Sequence, residues 1–392
     1  MLPEGFTPQK EGLLEGVPEL GIGMLGYEFM GKAHSNAYRT IPYMFWPPVV
    51  RPRLIAICGR TEEKVSEAAT RYGYEGYYTD YERMLQDPRI QVFDNVTPDP
   101  MHCEPSIAAA AAGKHVLCEK PMGMNSEETG RMLAAVRKAG VKNMCSFNYR
   151  FMPAVRLAKD IIDRGMLGEI KHFRGSYLFG MSVRPGPGVA QRRGGGNALL
   201  PIGSHVIDMA RFLAGDIAAV NAMMPGGTTV AMVEFASGAY GTIEANTSCP
   251  GKKNNHGFEI HGTLGSLSWD LTDLNRLQVF LVEEDPASIV GGYRNVLVTE
   301  AVHNYIRWEQ IAAREGSFLV SRAPGQVWWP QGHIEGWEHG HINAIFHFLD
   351  AIANDRPVAP YGATFEDGHR VAVISDAIIQ SAAEKREIVV PA

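Results

Sequence analysis

The chain has 392 residues, 45% of them hydrophobic, and a formal net charge of −6. Its length and apolar content provide for two packed units with a cleft and exclude a disordered chain, while the mild acidity offers no basic footprint for nucleic acid. The class left standing is one that handles small molecules.

Residues 1–18 read as an N-terminal extension with Glu4, Glu11 and Glu15 and no long apolar run, unlike a secretory signal. No stretch has the length and apolarity of a transmembrane helix, so no membrane partner is expected. The five cysteines form no CxxC pair and read as reduced thiols of a cytoplasmic protein.

From Leu20 the chain alternates strand and helix. Short apolar strands are expected at Leu20–Leu25, Leu54–Cys58, Gln91–Val96, His115–Cys118 and Asn143–Phe147. Between them, Thr61 and Gly73 bracket one helix, and Asn125 with Glu128 opens another that Gly140 closes. Such alternation specifies a parallel sheet wrapped by helices, with ligands bound outside the carboxyl ends of the strands.

A GxGxxG match falls at Gly21, Gly23 and Gly26. Taking it as a phosphate loop consumes the only residues able to form the first strand. The turn is therefore Gly26–Gly31, "GYEFMG", in which Gly26 makes the tight turn and Gly31 lets the helix approach the sheet. Glu28 replaces the middle glycine and must point away from a pyrophosphate. After the second strand come Gly59 and Arg60, where many NAD sites present an acid to the ribose. Arg60 suits the 2′-phosphate of NADP and equally a stack on the adenine of NAD, so NAD or NADP stays open.

The fourth strand runs into "HVLCEKPMG". Pro121 restrains Lys120 at a strand end, where its side chain would project toward a ligand bound outside the sheet.

The segments "GYEFMGKAHSNAYR", "FDNVTPDPMHCEPSIAAAAAGKHVLCEKPMG" and "GGGNALLPIGSHVIDMARFLAG" together resemble the Gfo/Idh/MocA family of nicotinamide-dependent sugar and cyclitol oxidoreductases, nearest to its members acting on glucosides and anhydrosugars. The resemblance implies that Gly26, Phe29, Met30 and Gly31 touch the cofactor phosphates. It further implies that Thr97, Pro98 and His102 line the way to the nicotinamide and that Glu119 and Lys120 meet its ribose. His205 matches the family's Gly-x-His motif and is expected to be the proton acceptor, a role its intrinsic pKa permits. Lys120 and His205 are thus the expected catalytic pair, with Asp208 a candidate to orient the histidine. The family usually carries an aspartate four residues before this histidine, and here that position is Pro201.

Beyond residue 150 the composition changes. "TVAMVEF" with "YGTIEA", and "FEIHG" with "SLSWD", read as hairpins of a one-faced antiparallel sheet, preceded by helices at 151–164 and 202–213. The expected fold is α/β: a Rossmann domain over 19–150, then an α+β domain over 151–392 built on a large, mainly antiparallel sheet. That sheet is the expected interface of a homo-oligomer, dimer or tetramer. The run 184–197, with Arg184, Arg192 and Arg193, is expected as a loop over the cleft. The expected sugar pocket takes in Arg150, Arg192, His205, Trp337, Glu338 and His341, where aromatic faces and hydrogen-bonding tips suit pyranose rings. "GHIEGWEHGHINAIFHF" is rich in histidine, but His339 and His341 would point to different helix faces and no HExxH occurs, so no metal is expected.

The expected activity is hydride transfer between NAD(P) and a secondary hydroxyl of a sugar, glycoside or cyclitol, with pyranose C3 one candidate. A redox-neutral epimerase or glycoside-cleaving enzyme, or a non-catalytic nicotinamide- or sugar-sensing protein, are the alternatives.

Overall fold

The computed structural model describes residues 16–45, 48–180, 198–282, 291–298, 303, 329 and 332–391. Its first sheet has six strands: β1 (Glu19–Leu25), β2 (Arg51–Cys58), β3 (Gly76–Tyr78), β4 (Val92–Asn95), β5 (His115–Cys118) and β6 (Asn143–Cys145). Their order is β3-β2-β1-β4-β5-β6 and every pairing is parallel, so the order reverses direction between β1 and β4. That switch point opens a crevice at the strands' carboxyl ends. β3 has no counterpart among the expected strands; three residues are too few to show a period.

The helix boundaries expected at Gly73, Asn125 and Gly140 are present, whereas Thr61 stands at the N-cap of its helix without a side-chain hydrogen bond. Helix α1 (Phe29–Met44) begins three residues beyond Gly26, and α2 (Glu62–Tyr72) ends on Gly73 in the left-handed conformation, φ 81°. Further on, α3 (Tyr81–Leu85) and α4 (Cys103–Ala111) lead to α5 (Ser126–Ala139). There the Asn125 side chain accepts from the Glu128 amide at 2.9 Å and Gly140 closes the helix. The "GIGMLG" glycines lie in β1 for packing reasons. A Cβ on Gly21 would sit 1.8 Å from the Arg89 carbonyl oxygen, and one on Gly23 2.8 Å from the Ile90 side chain.

The second sheet has nine strands, β7 (Ile170–Leu178), β8 (Ile217–Met223), β9 (Thr229–Phe235), β10 (Tyr240–Asn246), β11 (Asn255–Gly262), β12 (Gly265–Asp270), β13 (Arg276–Leu281), β14 (Arg294–Leu297) and β15 (Ile388–Val389). They are ordered β14-β13-β12-β11-β7-β10-β9-β8-β15. All neighbours are antiparallel except β7 and β10, which run parallel at the centre. The hairpins expected from alternation are there; the central parallel pair joins strands far apart in sequence and leaves no local mark. Buried and exposed residues alternate along β9, so one face is covered and the other open. Helices α6 (Pro153–Asp163), ahead of β7, and α7 (Ser204–Ala214), between β7 and β8, cover it, and a π-helical turn, Leu199–Gly203, leads into α7.

Two C-terminal helices, α8 (Trp337–Ala353) and α9 (Phe365–Glu384), return to the first unit. Phe346 of α8 stacks on Phe45 at 4.1 Å, and the Asp376 carboxylate of α9 accepts from the Ser126 amide at 2.8 Å. Helix α8 thereby stands at the rim of the crevice. Among the described residues no helix is long and apolar enough to cross a membrane.

Candidate active site

The turn between β1 and α1 is built for a close approach of an anion. Gly26 has φ 111°, and a Cβ on Gly31 would lie 2.7 Å from the Gly26 carbonyl oxygen. Helix α1 has neither a side-chain cap at its N-terminus nor an acid in its first turn, so its leading amides remain available to a phosphate. Glu28 is exposed and lines a groove between α1 and α2 with Lys32, Lys64 and Arg71. Phe29 is 68% exposed and stacks on Trp337 at 5.5 Å; Met30 is half-buried. Gly59 is dictated by the Tyr27 ring, which a Cβ would meet at 2.2 Å, and Arg60 next to it is exposed. Thr97 follows β4, its hydroxyl donating to Asn95 Oδ1 at 2.6 Å, and Pro98 is exposed beside it. These features fit a dinucleotide lying across the strand ends.

His102 is placed differently from expectation. Its ring is fully buried, with Nδ1 2.7 Å from the Pro121 carbonyl oxygen and Nε2 2.8 Å from that of Thr97. Both acceptors are carbonyls, so both nitrogens donate. Burial opposes the charge, but Cys118 and the two carbonyls outweigh it and hold the pKa at about 9. His102 clips the Thr97 turn to the Pro121 loop from behind.

Glu119 and Lys120 project from the end of β5. The Glu119 carboxylate is buried and accepts from its neighbour's amide, Lys120 N, at 3.1 Å and from His34 Nε2 at 3.0 Å. The other His34 nitrogen, Nδ1, is 2.9 Å from Asp94 Oδ2, which also accepts from the Tyr38 hydroxyl at 2.9 Å. Burial disfavours charge on His34, yet Asp94 and Glu119 raise its pKa to about 10. Burial likewise works against the Glu119 anion, and His34 prevails, lowering it to about 2. Donor atoms of His34, Glu119 and His341 lie within 4.8 Å of one another. A cation seated there would have to displace the proton that His34 holds between two carboxylates.

The Lys120 ammonium crosses the crevice and donates to the Pro201 carbonyl oxygen at 2.9 Å. Four residues on, His205 in the first turn of α7 is 6% exposed among rings: Tyr149 at 4.7 Å, Tyr177 at 5.7 Å and Phe147 at 5.8 Å. Burial in this aromatic wall, then the charge of Lys120, depresses its pKa well below the ordinary histidine value. His205 is therefore neutral and able to take a proton. The hydroxyls of Tyr149 and Tyr177 are 3.1 Å apart, and Tyr177 donates to Asn254 Oδ1 at 2.6 Å.

Trp337 and His341 share the face of α8 turned to this region. Their rings are 4.6 Å apart, and His341 is 5.4 Å from His34. Both ring nitrogens of buried His341 lack a hydrogen-bond partner, and burial holds its pKa at about 3. Glu338 turns away: its carboxylate folds over Gly336 and approaches His339 Nδ1 at 3.7 Å. Arg150 does not reach the crevice either. It is 2% exposed, with Nε and Nη2 donating to Asp208 at 2.9 and 2.5 Å. That pair ties α7 to the segment after β6, and it occupies Asp208, which does not orient His205. Arg192, with Arg184 and Arg193, lies outside the described residues.

His34, Asp94 and Tyr149 carried no signal of their own. A histidine inside a helix, an aspartate inside an apolar strand and a tyrosine before an arginine gain meaning only when the fold brings them to the strand ends.

A dinucleotide crevice facing a lysine and a neutral histidine defines an NAD-binding oxidoreductase. Comparison with known proteins gives the family: residues 20–147 match the oxidoreductase family with NAD-binding Rossmann fold, and residues 155–268 match the GFO/IDH/MocA C-terminal domain. The chain belongs to the Gfo/Idh/MocA oxidoreductases. It is 36% identical to levoglucosan dehydrogenase of Pseudarthrobacter phenanthrenivorans, over 95% of this chain and 98% of that protein. The solved complex of levoglucosan dehydrogenase with NADH and levoglucosan superposes with a TM-score of 0.85, at 37% identity, covering 95% of this chain and 100% of that one. An oxidoreductase domain protein from Kribbella flavida gives 0.83 at 34% identity, over 96% and 100%.

Proposed function

We propose that this protein oxidises a secondary hydroxyl of an anhydrosugar or glycoside, with NAD as hydride acceptor. The observation that carries the reading is the pairing across one crevice of a lysine fixed on a carbonyl with a buried, neutral histidine. Likeness to a levoglucosan dehydrogenase supports an anhydrosugar, and the NADH in its solved complexes supports NAD over NADP. Arg60 then serves as an adenine-side cation and not as a phosphate clamp.

NAD supplies an acceptor for the hydride that leaves carbon. The chain's residues do the rest. Lys120, held by Pro201, presents its ammonium where the hydroxyl oxygen gathers negative charge. His205 takes the hydroxyl proton in oxidation and returns it in reduction. The aromatic wall of Tyr149, Tyr177 and Trp337 excludes water and offers apolar faces to a pyranose ring. The open face of the second sheet, with Met223, Met232 and Tyr240 each more than half exposed, supports assembly through that face. All five cysteines are unpaired, which supports a reducing, cytoplasmic setting.

The test is NADH formation, followed by near-ultraviolet absorbance, with levoglucosan, methyl glucosides, glucose and inositol. Steady production with levoglucosan above the free sugars is the expected result. A transient that decays without net NADH would replace the reading with a redox-neutral one.

A further inference from the structure

We propose that His34 is a positioning residue for the oxidoreductase reaction, holding the Glu119 carboxylate in place and setting the charge under the reactive end of the cofactor. The proposal rests on the reading of the strand ends as the NAD site. Three elements meet at this histidine: it stands on α1, Asp94 lies inside β4, and Glu119 leaves the end of β5. Its two ring nitrogens approach the two carboxylates at 2.9 and 3.0 Å, all three groups being buried. Carboxylates only accept, so each nitrogen carries a proton and the ring is an imidazolium. The unit Asp94–His34–Glu119 thus holds a net charge of −1 in a region closed to water. Such a charge at the strand ends favours the cationic nicotinamide of NAD⁺ over the neutral one of NADH.

Without the imidazolium, two desolvated carboxylates would face one another with no cation between them, and one would take up a proton in the neutral range. Glu119 would then lose both its fixed orientation and its constant charge. The other titratable groups that face this unit are Tyr38 on α1, Tyr74 before β3, Lys120 beside Glu119, Cys145 on β6, Tyr149, and His341 on α8. Burial raises the tyrosines and the thiol, and burial holds His341 neutral.

The test compares the full-length protein with His34→Gln and with His34→Gln/Asp94→Asn. The double variant restores a net charge of −1, and its glutamine can donate to Glu119. The readout is the ratio of NADH to NAD⁺ dissociation constants between pH 6 and 9, which cancels general damage to the fold. Expected for His34→Gln is a new pH dependence of that ratio, at least about fivefold across the range, the scale of one charge acting over several ångströms at an intermediate dielectric. The double variant should return the profile of the parent. A ratio in His34→Gln that tracks the parent, or a double variant no better than the single one, overturns the proposal. Nitrogen-15 spectra of the parent without cofactor give a second measurement that needs no variant. Two nitrogen-bound protons on the His34 ring at pH 8 are expected, and a single one overturns the imidazolium. A parent that binds neither nucleotide would overturn the NAD reading itself, whereas a parent that binds both with an unmoved ratio overturns only the role of His34.

Discussion

Lys120 reaches across the crevice to the main-chain oxygen of Pro201 at 2.9 Å, and Pro201 stands four residues before His205, where the family resemblance implies an aspartate. A carbonyl can anchor an ammonium but cannot neutralise it. Lys120 is held in place by geometry alone. The carbonyl is presented by the π-helical turn Leu199–Gly203, whose irregular pitch suits a functional site.

Lys120→Ala is expected to lower kcat by about two to four orders of magnitude, the scale of a lost electrostatic or proton-transfer group. NADH affinity should change far less. Stopped-flow binding and steady-state rates on the same preparation separate the two, and equal losses in both would recast Lys120 as a binding residue.

Pro201→Asp tests the consequence of the missing acid. Pro201 is exposed, so the substitution should leave the fold intact. His205 in the parent has its pKa well below the ordinary value through burial and then the Lys120 charge. Oxidation should accordingly lose its base only at pH values well under that of a free histidine. A carboxylate near both groups favours their protonated forms, and the acid limb of kcat should move upward in Pro201→Asp. A limb that stays in place would show that residue 201 does not address His205.

The two glycine-rich readings of the N-terminus separate by mutation. Gly31→Val forces a side chain against the Gly26 carbonyl, 2.7 Å from its Cβ, and should abolish NADH binding in a protein that remains folded. Gly21→Ala instead meets the Arg89 carbonyl at 1.8 Å, so its effect is expected on the sheet, with a loss of about 1–3 kcal/mol or more in stability. Thermal melting and fluorescence titration of both variants decide the matter, and the opposite pairing of defects would move the phosphate turn back into β1.

Stability should peak near neutral pH. His256, His341 and His347 are buried, and burial first of all holds their pKa values at about 4, 3 and 4. The unfolded chain binds more protons than the folded one as pH falls below about 6.5, so stability is complete above that value and drains away on acidification. Each group contributes up to about 1.4 kcal/mol per pH unit. His34 and His102 act in the opposite sense: raised to about 10 and about 9, their contribution is complete below about 6.5 and is lost as pH climbs through those values. Urea midpoints between pH 4.5 and 9 should trace a dome, and a flat profile would contradict these charge states.

Local chemistry in the chain determined a good deal by itself. Gly26 and Gly31 mark the turn because only a residue without a side chain fits there, and Asn125 with Gly140 bounds α5 because caps are local hydrogen bonds. Alternation in β9 and β10 foretold a one-faced sheet because the pleat has a period of two. Lys120 and His205 were legible because each sits in a motif a few residues long. What the tertiary structure decided is everything that depends on pairing across distance. Arg150 and Glu338 were expected at the sugar pocket, but Arg150 is locked into Asp208, 58 residues away, and Glu338 folds onto Gly336. His102 was expected at the cofactor and instead holds two backbone carbonyls. His34 passed as an ordinary helical residue until Asp94 and Glu119, 60 and 85 residues away, closed on its two nitrogens. A side chain's charge state and direction are set by its neighbours in space, and packing between separate strands and helices chooses those neighbours.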